Sequence, residues 1–124
     1  MLRSQYLAQL DSWDERQLLG QTARVLNRNP ELAHFGFKVG AKDDERRYLC
    51  TSDAQAQIAA CLRWLADHSI PPSVGSYRLK HIIEGWAGRY ISNGACIVAM
   101  LITGQSHLRS VGSTNCTFLG GGHG

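Results

Sequence analysis

The chain has 124 residues and a formal net charge of +3, with 44% hydrophobic and 19% charged residues. This length suits one domain, and the composition excludes a disordered or fibrous chain. The longest apolar stretch, 95–103, is far shorter than the roughly 20 residues of a membrane span. We therefore expect one globular domain over 1–119 and a flexible glycine-rich tail at 120–124. With no secretory signal, the protein is expected to be soluble and cytoplasmic.

The first part of the chain is expected to be helical. Residues 4–10 can form a short helix with Tyr6, Leu7 and Leu10 on one side. Ser12 and Glu15 then have the spacing of a capping box for a second helix, which should end before Pro30.

A short strand is predicted after this helix. Residues 34–39 alternate, which would put Phe35, Phe37 and Val39 on one buried face. The charged stretch 40–47 is predicted to be a solvated loop. Near the C terminus, residues 115–119 form a second candidate strand, expected to pair with 34–39.

Three further helices follow from apolar periodicity and capping residues. The first covers 53–68, the second runs from Ser76 to a stop at Gly88, and the third opens at Ser92. The third is apolar almost all round, as in a helix at the centre of a core. The predicted fold class is α+β and mostly helical, with about four helices around the buried helix 92–103 and a small two-stranded sheet.

The four cysteines give no metal-binding pattern. Cys50, Cys61, Cys96 and Cys116 contain no C-x-x-C pair, and no two histidines stand four residues apart. We therefore expect reduced, structural thiols, with no metal and no cofactor.

Positive charge is concentrated toward the C terminus. Residues 68–124 hold four Lys and Arg side chains against one acid, Glu84, whereas the two signs cancel in 1–67. This half therefore favours acidic partners. A nucleic-acid-binding protein usually carries a denser basic stripe.

The candidate site lies at two consecutive helix starts, where cations and tyrosines cluster. Cations in a first helical turn are unfavourable alone, so a bound anion, a partner's carboxylate or Glu84 is expected to compensate them. The plainer alternative puts Lys80 and His81 on a solvated helix face. The predicted partner-binding residues are Tyr77, Arg78, Lys80, His81, Arg89 and Tyr90.

Catalysis is the less favoured interpretation. His81 could act with Ser76, Ser92 or Cys96, but no G-x-S-x-G, Walker or Rossmann pattern is present. We predict no catalytic residues.

Two motifs carry a resemblance over residues 28–119. The run S-Y-x-L-K-H at 76–81 and the run Y-I-S-N-G-A at 90–95 resemble small proteins of bacterial plasmids, integrative elements and phages. The resemblance implies a mobile-element inhibitor of the anti-CRISPR type, which binds a host defence protein or protein–RNA complex without catalysis. A small nucleic-acid-binding regulator and a small enzyme using His81 are the alternatives.

Overall fold

The structure is a computed structural model that describes residues 14–120, and it shows a mostly helical α+β fold. The predicted helix 4–10, Ser12 and residues 121–124 lie outside the described residues. The helices are α1 Glu15–Arg28, α2 Asp43–Arg47, α3 Ser52–Asp67, α4 Ser76–Ala87 and α5 Asn93–Ile102, with a 3₁₀ turn at Tyr48–Cys50. The strands are β1 Leu32–Ala33, β2 Gly36–Phe37, β3 Val74–Gly75, β4 His107–Arg109 and β5 Cys116–Phe118.

The apolar helix α5 lies at the centre of the core, as predicted. Every residue from Asn93 to Met100 is buried, and α1, α3 and α4 pack against it. Ser92 caps the helix by accepting a hydrogen bond from the N–H of Ala95 at 3.0 Å. A helix enclosed on all sides needs no polar face, which explains its uniform composition.

Two helix starts differ from the prediction. The capping box of α1 uses Asp14 and Gln17, whose side chains each accept a backbone N–H from the other residue at 2.8 Å. Gly75, and not Ser76, precedes α4. The Ser76 hydroxyl instead accepts the N–H of Cys116 at 3.1 Å, so it ties α4 to β5.

The predicted pairing of 34–39 with 115–119 is wrong. β1 and β2 pair with each other across a tight turn, and β5 lies between β3 and β4 in a three-stranded sheet. Phe35 and Val39, expected in the core, are 66% and 78% exposed, and only Phe37 is buried. Gly36, at φ +118°, turns the chain within the alternating segment, which breaks the alternation.

The charged stretch 40–47, predicted as a loop, contains the short helix α2. Its Arg46 side chain donates to the carbonyl oxygens of Leu26, Asn29 and Leu32. These oxygens lie at and just beyond the end of α1, where helical carbonyls have no partner within the helix. Arg46 therefore fixes α2 against the end of α1.

The start of α5 touches the β1–β2 turn so closely that only glycine fits. The N–H of Gly94 donates to the carbonyl oxygen of His34 at 2.9 Å, and a Cβ at this position would overlap the carbonyl oxygen of Ala33. Gly20, on an exposed part of α1, has open space around it.

We expect Gly94→Ala to destabilise the protein by roughly 3 kcal/mol or more, because the turn or the helix has to move. The control Gly20→Ala should stabilise it by about 0.5–1 kcal/mol through helix propensity. Urea unfolding followed by circular dichroism measures both. Equal effects of the two substitutions would contradict the close packing.

Candidate functional site

A buried lysine connects the two helix starts that the sequence singled out. Lys80 is only 7% exposed. Its Nζ donates to the carbonyl oxygen of Ile91 at 3.1 Å and to Glu84 Oε2 at 3.4 Å. The same ammonium lies 5.5 Å from the ring centroid of Tyr77 and 5.0 Å from that of Tyr90. These contacts compensate the burial of the charge and fix both rings beside it.

Glu84 is the anion that compensates these cations, one of the three possibilities that the sequence left open. Its Oε2 also accepts the N–H of Ile91 at 2.9 Å, and its Oε1 lies 2.8 Å from His81 Nδ1. Burial opposes ionisation of Glu84, but the Ile91 hydrogen bond and the charge of Lys80 outweigh it. The pKa of Glu84 therefore lies below its ordinary value.

A second polar group lies beside the first. Asp53 accepts hydrogen bonds from Arg89 at 3.2 Å and from the Tyr48 hydroxyl at 3.1 Å. The Gln57 amide donates to both Asp53 and Tyr48, and its oxygen accepts the N–H of Ser92 at 2.8 Å. These bonds link α3 to the segment that leads into α5.

Three rings stack next to this group. The His34 ring lies between Phe35 and Tyr48, with centroid distances of 4.1 and 3.7 Å. Burial raises the pKa of Tyr48, so its hydroxyl stays protonated near neutral pH. The Tyr48–Asp53–Arg89 hydrogen bonds connect these rings to Arg89, the neighbour of Tyr90. We call the two groups of rings together the aromatic face. Its members are His34, Phe35, Tyr48, Tyr77, His81 and Tyr90.

The turn that presents Phe35 is fixed from below by α5. The Asn93 amide donates to the carbonyl oxygen of Phe35 at 3.0 Å and to the loop at 114–115. The Gly94 N–H holds His34 in the same way. The N-G pair of the second motif thus acts by holding this turn.

The structure brings most of the predicted site residues together, but in different roles. Tyr77, His81 and Tyr90 lie on the aromatic face, with the buried Lys80 behind them. Lys80 is buried, so it does not lie on a solvated helix face, and its contact with a partner stays a prediction. Arg78 is exposed, and the turn of about 100° per residue directs it away from Lys80.

Arg89 reaches the group through its ion pair with Asp53. The sequence analysis missed His34 and Tyr48 as site residues and assigned Phe35 to the core. The N-G pair in the second motif was the one signal that a nearby turn is held in place, but it did not identify which turn.

The side chains proposed as catalytic partners of His81 are engaged or inaccessible. The hydroxyls of Ser76 and Ser92 lie in the interior and accept backbone N–H groups. The Cys96 thiol is buried, and its hydrogen bond with Cys61, together with burial, raises its pKa well above the ordinary value. The His81–Glu84 pair therefore has no nucleophile among these three residues.

No protein-family model, curated protein or solved structure matches this chain. Within residues 14–120, no group of three or more His, Cys, Asp or Glu side chains is placed to hold a metal ion. None of the helices in this range has the length and apolar character to span a bilayer.

We expect Glu84→Gln to lower the free energy of unfolding at pH 7 by about 1–3 kcal/mol, because Lys80 then stays buried without a carboxylate. The pKa of Glu84 lies below 4.5 in the folded chain. Its stabilisation is therefore present above about pH 4.5 and is lost as pH falls through the folded value.

Urea unfolding at several pH values tests this prediction. Between about pH 5 and 3, the stability of Glu84→Gln should fall less steeply than that of the parent protein. Parallel curves for the two proteins would show that Glu84 contributes no linked proton.

Acidification should add a positive charge to His34, whereas it removes the negative charge of Glu84. Burial lowers the pKa of His34 below 6.5, and the His34 Nε2 has no hydrogen-bond partner among the described residues. The neutral His34 ring therefore makes its full contribution to the free energy of unfolding above pH 6.5. This contribution is lost as pH falls through the pKa of His34 in the folded chain. His107, whose pKa burial also lowers, adds to the same loss.

His34→Phe keeps a stacking ring but cannot titrate. We expect its stability to decline less than that of the parent as pH is lowered below 6.5. NMR titration of the His34 ring should give a pKa under 6.5, and a value at or above 6.5 would contradict the burial of the ring.

Proposed function

We propose that the protein is a non-catalytic binding protein that docks on another protein through its aromatic face. The observation that carries the proposal is the exposure of rings held in fixed positions. Phe35, Tyr77 and Tyr90 are 66%, 55% and 52% exposed. Exposed aromatic side chains dominate the energetics of many protein interfaces when they enter a partner's pockets.

The way these rings are held supports binding. Tyr77 and Tyr90 flank the buried Lys80 ammonium, and Phe35 lies on a turn that Asn93 and its neighbour hold by hydrogen bonds. A side chain that is already ordered loses less conformational entropy on association. Part of the conformational entropy that binding would remove from these side chains is therefore already lost in the free protein.

The charges favour a protein partner over a nucleic acid. Lys80 and His81 both pair with Glu84, and Arg89 pairs with Asp53. A nucleic-acid surface needs cations that remain available for phosphates. On this face, Lys80 and Arg89 are engaged with carboxylates of the same chain, whereas the exposed Arg78 points away from Lys80.

The class of partner follows from the resemblance of the motifs to proteins of mobile elements. We propose that the partner is a host defence protein or protein–RNA complex, and that the protein inhibits it by occupying a functional surface, as an anti-CRISPR protein does. The setting is the cytoplasm of a bacterial host. This mode of inhibition needs neither a cofactor nor a membrane.

The test is inhibition of DNA cleavage by purified CRISPR effector complexes and restriction endonucleases. We expect one of them to be inhibited and to bind the protein. Phe35→Ala, Tyr77→Ala and Tyr90→Ala should each weaken binding by about tenfold or more, because each removes an exposed anchor. Val111→Ala removes a fully exposed apolar side chain that is not part of the face, so it should leave binding unchanged.

Circular dichroism and urea unfolding of the same variants separate loss of contact from loss of structure. Full binding by all three variants would show that the aromatic face is not the contact surface. Absence of inhibition across the panel would reject the defence-complex partner. Tight DNA or RNA binding whose affinity falls steeply with salt would support the nucleic-acid-binding alternative instead.

A further inference from the structure

The exposed side of α4 carries a histidine whose ring is oriented by a carboxylate. His81 Nδ1 lies 2.8 Å from Glu84 Oε1, and the His81 side chain is 51% exposed. Glu84 is itself fixed, because its other oxygen bonds to Lys80 and to the N–H of Ile91. A carboxylate in this position holds the proton of a neutral histidine on Nδ1. The lone pair of Nε2 is then free on the opposite edge of the ring.

The other histidines that the structure describes lack this combination of contacts. The Nε2 of His34 is buried, and the Nδ1 of His68 lies 2.9 Å from a backbone carbonyl oxygen. The ring of His107 lies against two phenylalanine rings. Within residues 14–120, His81 is therefore the histidine that has a carboxylate on one ring nitrogen and no hydrogen-bond partner on the other.

The surroundings of His81 suit a negatively charged phosphoryl group. Arg78 lies three residues before His81 on α4, is exposed and forms no ion pair with the described residues. Side chains three positions apart on a helix are neighbours, so both can contact the same group. A guanidinium binds phosphate oxygens through a planar fork of N–H donors. On the other side, the space beside Gly85 is open, which leaves room for a donor to approach.

We propose that His81 is a phosphoryl acceptor, modified at Nε2 by a donor that carries an activated P–N bond. The lone pair of Nε2 attacks phosphorus, and the nitrogen of the donor leaves with the electron pair of the broken P–N bond. The ring gains a positive charge, which the Glu84 carboxylate stabilises, while the Nδ1 proton stays between the two side chains. The phosphoryl oxygens then lie within reach of Arg78.

The ionisation of Glu84 supports this chemistry. Burial opposes the charge, but the Ile91 hydrogen bond and the charge of Lys80 hold the pKa of Glu84 below its ordinary value. A carboxylate that stays ionised near neutral pH can stabilise the positive ring of the phosphorylated histidine.

The modification would change the aromatic face, because the His81 ring lies edge-on to Tyr77 at 4.5 Å. A phosphoryl group adds up to about two negative charges beside this ring. The inference goes beyond the proposed docking and does not depend on it, because it stands on the contacts of His81 alone.

Phosphoramidate, which has an activated P–N bond, is the probe for the full chain at neutral pH. Intact mass spectrometry follows the addition of one phosphoryl group, and tandem mass spectrometry locates it. A synthetic peptide of residues 76–84 supplies the same histidine without the fold. We expect His81 in the folded protein to react about tenfold or more faster than in the peptide, because its ring is oriented and its charge stabilised.

Substitutions assign the site. His81→Gln should abolish the adduct, whereas His68→Gln and His107→Gln should retain it. Arg78→Gln should slow the reaction by about threefold or more, because the phosphoryl oxygens lose a guanidinium. The control Arg24→Gln removes an exposed cation from α1, so it should leave the rate unchanged. Equal rates for these two arginine variants would overturn the placement of the phosphoryl group beside Arg78.

Glu84 acts as a positioning residue, and Glu84→Gln should slow the reaction by about tenfold or more. Because this variant is also expected to be less stable, NMR of the parent protein gives a second measurement. The nitrogen shifts of His81 should show the proton on Nδ1 and none on Nε2. A proton on Nε2 overturns the inference, as does a rate equal to that of the peptide or faster modification of His68 or His107.

Discussion

The structure depends on four consecutive residues, Ile91 to Gly94, where the backbone enters the central helix. The N–H and C=O of Ile91 bond to the Glu84–Lys80 pair of α4. Ser92 bonds to α3, and the last two residues hold the β1–β2 turn. Each bond lies in or near the interior, where an unpaired polar group is costly. The position of α5 therefore fixes the positions of the elements around it.

This arrangement explains why the Lys80–Glu84 ion pair lies largely buried at the edge of the core. A buried ion pair often contributes little net stability, because both charges lose their hydration. Here Lys80 and Glu84 also satisfy both backbone groups of Ile91 and place two tyrosine rings. The pair thus specifies one geometry for the joint between α4 and α5, and the same geometry orders the rings at the surface.

The aromatic face combines parts that are distant in the chain. Phe35 comes from the β1–β2 turn, Tyr48 from the 3₁₀ turn, and Tyr77 and Tyr90 from the two ends of the α4 region. Asp53 joins two of these parts, because it accepts hydrogen bonds from both Tyr48 and Arg89. The bonds that support the face are also bonds that hold the core. Under the proposed function, a substitution at a support should alter folding and binding together, whereas truncation of an exposed ring should alter binding alone.

Interactions between residues close in the chain allowed the sequence to predict most of the helices, two helix ends and one ion pair. Apolar periodicity located α1, α3, α4 and α5 and the central position of α5, but it missed the short helix α2. Ser92 and Gly88 marked helix ends that the structure confirms. The spacing of Glu84 from Lys80 placed it among the candidate partners of that lysine. All of these depend on residues within a few positions of one another, where the geometry of the helix is known in advance.

Only the tertiary structure decided the strand pairing, the exposure of Phe35 and the composition of the aromatic face. The alternation of 34–39 is as compatible with one continuous strand as with a turn between two short strands. The contact of this segment with the start of α5 selects the turn, in which Gly36 has a positive φ. Which side chain covers a buried group is a matter of contacts between residues such as Asn93 and Phe35, far apart in the chain. Periodicity carries no information about such contacts, because they arise only when the packed elements exclude water from the polar groups between them.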